Sequence, residues 1–195
     1  MNNNIVEFIR CVGIELRNER KEQDLIISTI ANRVGVSISQ ISNLETSNPH
    51  TKPIYRYKEM SLALNIPLYI IIKRAENRYN NIIDNKSYND GINELPTITD
   101  KDIEQFIYII GDTLKEARTS LGISANKLAK QLKITRQAYS GYERMTRINI
   151  SLYKVIELCG VLDVSIHYVI ERAEKRFYEN LRNGRDTTGD VHKES

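Results

Sequence analysis

Residues 128–144, LAKQLKITRQAYSGYER, decide how this chain folds, and the stretch 98 residues earlier repeats their pattern. Leu128, Ala129 and Leu132 fall at helical spacing on one face of a short helix. Thr135 then interrupts the pattern as an N-cap, and a second short helix runs to about Arg144 with Tyr139 and Tyr142 on its apolar side. Two short helices that cross steeply need a small residue at their contact and apolar plugs around it. Ala129 supplies the first, and Ile134, Tyr139 and Tyr142 supply the second. The matching stretch 30–45, IANRVGVSISQISNLE, offers Ala31 at the contact and Val36, Ile41 and Leu44 as plugs. In both, one face of the second helix is left free.

Outward from these stretches, residues 5–79 read a second time as residues 103–177 without an insertion. Ile5, Phe8, Ile9, Gly13, Leu16, Arg20, Ala31, Glu45, Leu64, Arg74, Glu76 and Arg78 recur unchanged at the same offset, Arg20 as Arg118 and Glu45 as Glu143. Each copy opens on an amphipathic helix, with Ile5, Phe8, Ile9, Val12 and Leu16 on one face and Ile103, Phe106, Ile107, Ile110 and Leu114 on its counterpart. Thr99, with Asp102 three residues on, resembles an acidic capping box and places that second start near residue 100; Gly122 ends the helix as a C′ residue. Ser124 and Thr135 cap the next two helices, Asn149 or Ser151 opens a fourth, and Ser165 opens a fifth that ends near Asn183 before Gly184. The first copy is punctuated less cleanly by Asp24, Gly35, Ser37, Asn48-Pro49 and Pro67. The reading is all-α, with two small units over 1–80 and 100–183, a polar, net-negative linker over 81–99 and a disordered tail over 184–195.

Several classes of function are excluded by what the sequence lacks. Cys11 and Cys159 occupy non-equivalent repeat positions and fit neither a disulfide framework nor a metal site. His50, His167 and His192 are scattered with no partners at ligand spacing, so no metal is expected. No phosphate-binding glycine loop or nucleophile elbow occurs, so neither catalysis nor a cofactor is expected. The longest apolar run, around Ile70–Ile72, is too short to cross a bilayer, and with no charged leader the expectation is a cytoplasmic protein without a membrane partner.

A short helix, a tight turn and a second short helix ending in Glu, preceded by an Arg near the end of the first helix, resembles the Cro and lambda-repressor (xenobiotic-response-element) family of helix-turn-helix regulators. Both copies carry the resemblance. It implies two tandem five-helix domains of lambda-repressor-like fold, binding double-stranded DNA. It also implies that Arg20 with Glu45, and Arg118 with Glu143, form structural ion pairs tying the first helix to the end of the recognition helix.

Carried over position by position, the resemblance places Ile38, Ser39, Gln40 and Asn43, after the cap Ser37, against DNA in the first copy. In the second copy the positions are Arg136, Gln137, Ala138 and Gly141, after Thr135, with Lys130 and Lys133 nearby. An exposed Arg or Gln on a helix is ordinarily just solvated, but here the chemistry suits the position: a guanidinium pairs with guanine and a carboxamide with adenine. Charge separates the copies. Across 124–147 stand Lys127, Lys130, Lys133, Arg136, Arg144 and Arg147 against Glu143, whereas 26–49 holds only Arg33 against Glu45. Phosphate attraction is therefore expected mainly in the second copy. Both copies depart from the family where a Gln often opens the second helix, because Ile27 and Ala125 stand there. Ile26 also replaces the usual Ser or Thr cap.

Two functions follow as expectations. One is a sequence-specific transcriptional repressor, reading an asymmetric site, or a palindrome if the chain forms a homodimer. The other keeps the second copy as DNA reader and makes the first a module that docks a protein partner or dimerises.

Overall fold

The computed structural model of the 195-residue chain describes residues 3–46, 52–80, 95–146 and 148–189. Every regular element among them is a helix. The first copy holds α1 (Asn3–Glu22), α2 (Ile27–Val34), α3 (Ile38–Thr46), α4 (Ile54–Ala63) and α5 (Leu68–Tyr79). The second holds α6 (Asp100–Ser120), α7 (Ala125–Gln131), α8 (Arg136–Glu143), α9 (Leu152–Leu162) and α10 (Ile166–Gly189).

The caps that start the second copy's helices are side chains satisfying the orphan N–H groups of a first turn. Thr99 accepts from the Asp102 N–H while Asp102 accepts from the Thr99 N–H at 2.7 Å, a reciprocal box. Ser124, Thr135 and Ser151 each accept from the N–H three residues on, so Ser151 rather than Asn149 opens α9. Leu121 caps α6, and Gly122 follows at φ +64, a left-handed conformation glycine adopts without strain. One boundary differs from expectation. Gly184 lies inside α10, which continues to Gly189. Glycine inside a helix costs only about 1 kcal/mol, which does not by itself end one. Residues 81–94 of the expected linker and 190–195 of the expected tail lie outside the described residues.

Within each copy the first and fifth helices pack along one another over the apolar stripes, with Phe8 edge-on to Tyr79 and its counterpart Phe106 edge-on to Phe177. The buried residues of the two copies form one continuous cluster. Helix α5 packs against α10, and α1 against α9. Just before α4 and α9, Pro53 and Ser151 form an antiparallel bridge, with the Ile54 N–H donating to the Ile150 carbonyl at 2.9 Å and the Leu152 N–H to the Lys52 carbonyl at 3.2 Å.

At the seam sits a buried charge cluster. Lys58 of α4 is 0 % exposed and pairs with Glu174 of α10, 1 % exposed. Lys58 also donates to the Tyr178 hydroxyl at 2.7 Å and lies over the rings of Phe106, Phe177 and Tyr178. Burial pushes the lysine pKa down, opposed by the Glu174 charge. Glu174 in turn accepts the Leu68 N–H at 3.0 Å and the Tyr69 N–H at 2.8 Å, capping α5, whose own cap residue Pro67 makes no side-chain cap bond. Its counterpart Glu76 accepts from the Ser165 hydroxyl at 2.6 Å and the His167 N–H at 3.5 Å at the start of α10.

Candidate nucleic-acid interface

The two free helix faces expected from the sequence are α8 and α3, each following a tight turn from the helix before it. In the second copy the turn closes through the Ile134 N–H to the Ala129 carbonyl, in the first through the Val36 N–H to the Ala31 carbonyl, both at 2.9 Å. The turn residue is left-handed in both: Gly35 at φ +72, and its counterpart Lys133 at φ 56, where a side chain is strained. Tyr139 is buried beneath α8, and burial pushes its phenol pKa up. Ile41 and Leu44 fill the same place beneath α3.

On the outer side of α8, Thr135, Arg136, Gln137 and Ala138 are exposed, as are Lys130 and Lys133 beside them. Gly141 is half-buried and lines a cleft of about 440 Å³ together with Gln137, Ala138, Thr146 and Asn149. Lys127 and Arg144 are exposed on the same unit, whereas Arg147 lies outside the described residues. An exposed guanidinium on the first turn of a protruding helix can reach a guanine edge, and the surrounding ammonium groups can reach phosphates.

The first copy presents different chemistry. Ser37, Ile38, Ser39, Gln40 and Asn43 are all exposed, Ile38 at 52 %. Gln40 is occupied: its Oε1 accepts the Ser37 N–H at 3.0 Å while the Ser37 hydroxyl accepts the Gln40 N–H at 3.3 Å. This capping box, with Ser37 at the cap and Gln40 in the first turn, starts α3. The signal stood in the sequence as Ser37 followed three residues later by Gln40. At the start of α2, Ile26 is 66 % exposed and makes no side-chain cap. Arg33, the basic residue here, donates to the Ala63 carbonyl at 2.8 Å.

Both recognition helices are anchored in the same way. Arg20 grips Glu45 through two bonds, Nε to Oε1 at 2.6 Å and Nη2 to Oε2 at 2.8 Å, and donates to the Leu25 carbonyl at 2.7 Å. Arg118 does the same with Glu143 and with the Ile123 carbonyl, the latter at 2.8 Å. These bonds to Glu45 and Glu143 raise the arginine pKa values. A two-pronged pair so little exposed fixes the end of α3 or α8 onto the preceding long helix, and removing one partner would strand a poorly solvated charge. Sequence reasoning registered the recurrence of Gly13 and Gly111 without its cause. A Cβ on Gly13 would meet the Leu44 carbonyl oxygen at 2.7 Å, and one on Gly111 would meet that of Glu143 at 2.4 Å. Only glycine lets the C-terminal carbonyls of the recognition helix lie on the long helix.

His167 pairs with Glu76, Cys11 and Cys159 are buried thiols, and no group of metal-ligand residues assembles among the described residues. Among those residues no helix is long and apolar enough to cross a membrane.

Residues 114–169 match the helix-turn-helix family, a span running from the end of α6 through α7, α8 and α9 into α10. This segment is a helix-turn-helix domain of the Cro/C1 type, resembling the lambda-repressor class of DNA-binding regulators. No curated protein and no solved structure matches the chain.

Proposed function

We propose that the chain is a sequence-specific double-stranded DNA-binding transcriptional repressor that reads major-groove bases mainly through α8. The observation that carries this is the exposure of Arg136 and Gln137 on the first turn of a helix capped by Thr135, ringed by Lys127, Lys130, Lys133 and Arg144. Arg136 serves guanine, Gln137 serves adenine, and the lysines displace counterions. Units 1–80 and 100–183 are the two helix-turn-helix domains. A second reading, in which the first copy docks protein, draws on the exposed Ile26 and Ile38 and its scarcity of free basic groups.

Selection of the full-length protein against a pool of randomised duplexes tests the proposal. Enrichment of a defined site, with affinity falling steeply as salt rises, is the expected result. A pool that stays random after repeated rounds would overturn it.

A further inference from the structure

The seam between the copies is self-complementary in a particular sense. The bridge joins Pro53 to its own repeat counterpart Ser151, and its two flanking bonds, 54 to 150 and 152 to 52, exchange places when the copies are exchanged. Helix α5 packs on its counterpart α10. Glu174 meets the N-terminus of α5 while Glu76 meets that of α10. A head-to-tail arrangement would pair each surface with a different one. Three relations that survive the exchange describe an approximate local two-fold axis within the single chain, the relation ordinarily made by two subunits, although the α1–α9 packing has no equally extensive counterpart between α6 and α4.

That axis relates the two recognition units to each other, because α3 and α8 are repeat counterparts. A duplex has two-fold axes of its own across its grooves, so a two-fold protein meets it as an inverted repeat. The two reading faces nevertheless differ. Arg136 and Gln137 occupy the positions where α3 has Ile38 and Ser39, and Gly141 the position of Asn43. An exposed isoleucine suits the methyl group of thymine, and a free carboxamide suits adenine.

We infer that one chain alone occupies an inverted repeat of two non-identical half-sites, one led by guanine under α8 and one led by A·T pairs under α3. This rests on the reading of the chain as a DNA-binding regulator and adds the orientation, the composition and the stoichiometry of its target. The spacing is rigid, since buried bonds rather than a linker set it. Lys58 and Glu174 make the two sides of the seam unlike each other: the counterpart of Lys58 is Ile156, so pairing two second copies would leave Glu174 without its cation.

The test is randomised-duplex selection with the full chain and with Ile38→Arg/Ser39→Gln, which alters two exposed positions and keeps both partners of the Ser37–Gln40 box, losing only the Ser39 hydroxyl contact to that of Ser37. The wild type is expected to select two different inverted half-sites and to bind them as one chain per duplex. One base pair inserted at the centre should lower affinity roughly tenfold or more, the scale of losing base contacts. The variant is expected to select a more symmetric repeat, with guanine gained in the α3 half-site. A direct repeat, two chains per duplex, or a single half-site unchanged by the variant would each overturn the inference while leaving DNA reading by α8 intact. Failure to select any site would overturn both.

Discussion

Replacing Glu174 by leucine should destabilise the whole protein more than replacing Lys58 by methionine, although the two form one ion pair. Without Glu174, Lys58 at 0 % exposure keeps only the Tyr178 hydroxyl and three aromatic rings, and two first-turn N–H groups of α5 lose their acceptor. Stranding a buried charge costs about 3–5 kcal/mol. Without Lys58, Glu174 still holds the Leu68 and Tyr69 N–H groups at the positive end of a helix, so the loss should be smaller, about 1–3 kcal/mol. At roughly 2–4 °C per kcal/mol for a chain of this size, Glu174→Leu should lower Tm by about 6–20 °C. The double variant should cost less than the sum of the singles, with a coupling of about 1–3 kcal/mol. Urea unfolding of the full chain, followed by circular dichroism, reads all four free energies. Small, additive losses below about 0.5 kcal/mol for both singles would contradict a shared buried seam, because they describe an exposed pair and hence copies that share no interior.

Gly111→Ala should destabilise despite alanine's better helix propensity of about 1 kcal/mol, because its Cβ meets a carbonyl oxygen that cannot yield without moving α8; a net loss of about 1–3 kcal/mol, with weakened DNA binding, is expected in thermal melts and titrations. Lys133→Gly should raise stability by relieving the left-handed turn while reducing binding to preferred and random duplexes alike, which parallel melts and titrations would show. Stability should fall as pH rises above about 10, because burial raises the phenol pKa values of Tyr57, Tyr139 and Tyr178, so the folded state holds protons that the unfolded chain releases. Lys58, lowered by burial, works in the opposite sense but is one group against three; urea midpoints between pH 8 and pH 11 would check the sign.

The repeat, the helix order and most of the caps were legible because each depends on neighbours close in sequence. Thr99 with Asp102, Ser124, Thr135 and Gly122 announce helix ends through local bonds alone. The exposed face of α8 was legible for the same reason, once Tyr139 and Tyr142 were assigned inward. The ion pairs at Arg20 and Arg118 came through the family resemblance and the recurrence of both partners. What stayed hidden depends on contacts between distant residues. The recurrence of Gly13 and Gly111 pointed to a constraint, but only the packed helices reveal the carbonyls above them. The merging of the two cores was hidden further, since Lys58 and Glu174 are distant in sequence and Lys58 has no charged counterpart in the second copy. Gln40 carries a capping role that was not read from the sequence: its Oε1 accepts the Ser37 N–H, a local bond at a position the resemblance also sets against DNA.

Duplex binding by Arg136→Ala, set beside Lys130→Ala in the full chain, separates base reading by α8 from phosphate contact. Each variant is titrated against the preferred site and against a random-sequence duplex at one salt concentration. Arg136→Ala is expected to lose about 1–3 kcal/mol on the preferred site and much less on the random one, because a base contact has gone. Lys130→Ala should lose equally on both. If Arg136→Ala also loses equally on both and selects the same site as the wild type, Arg136 holds a phosphate and α8 is not the reader proposed here.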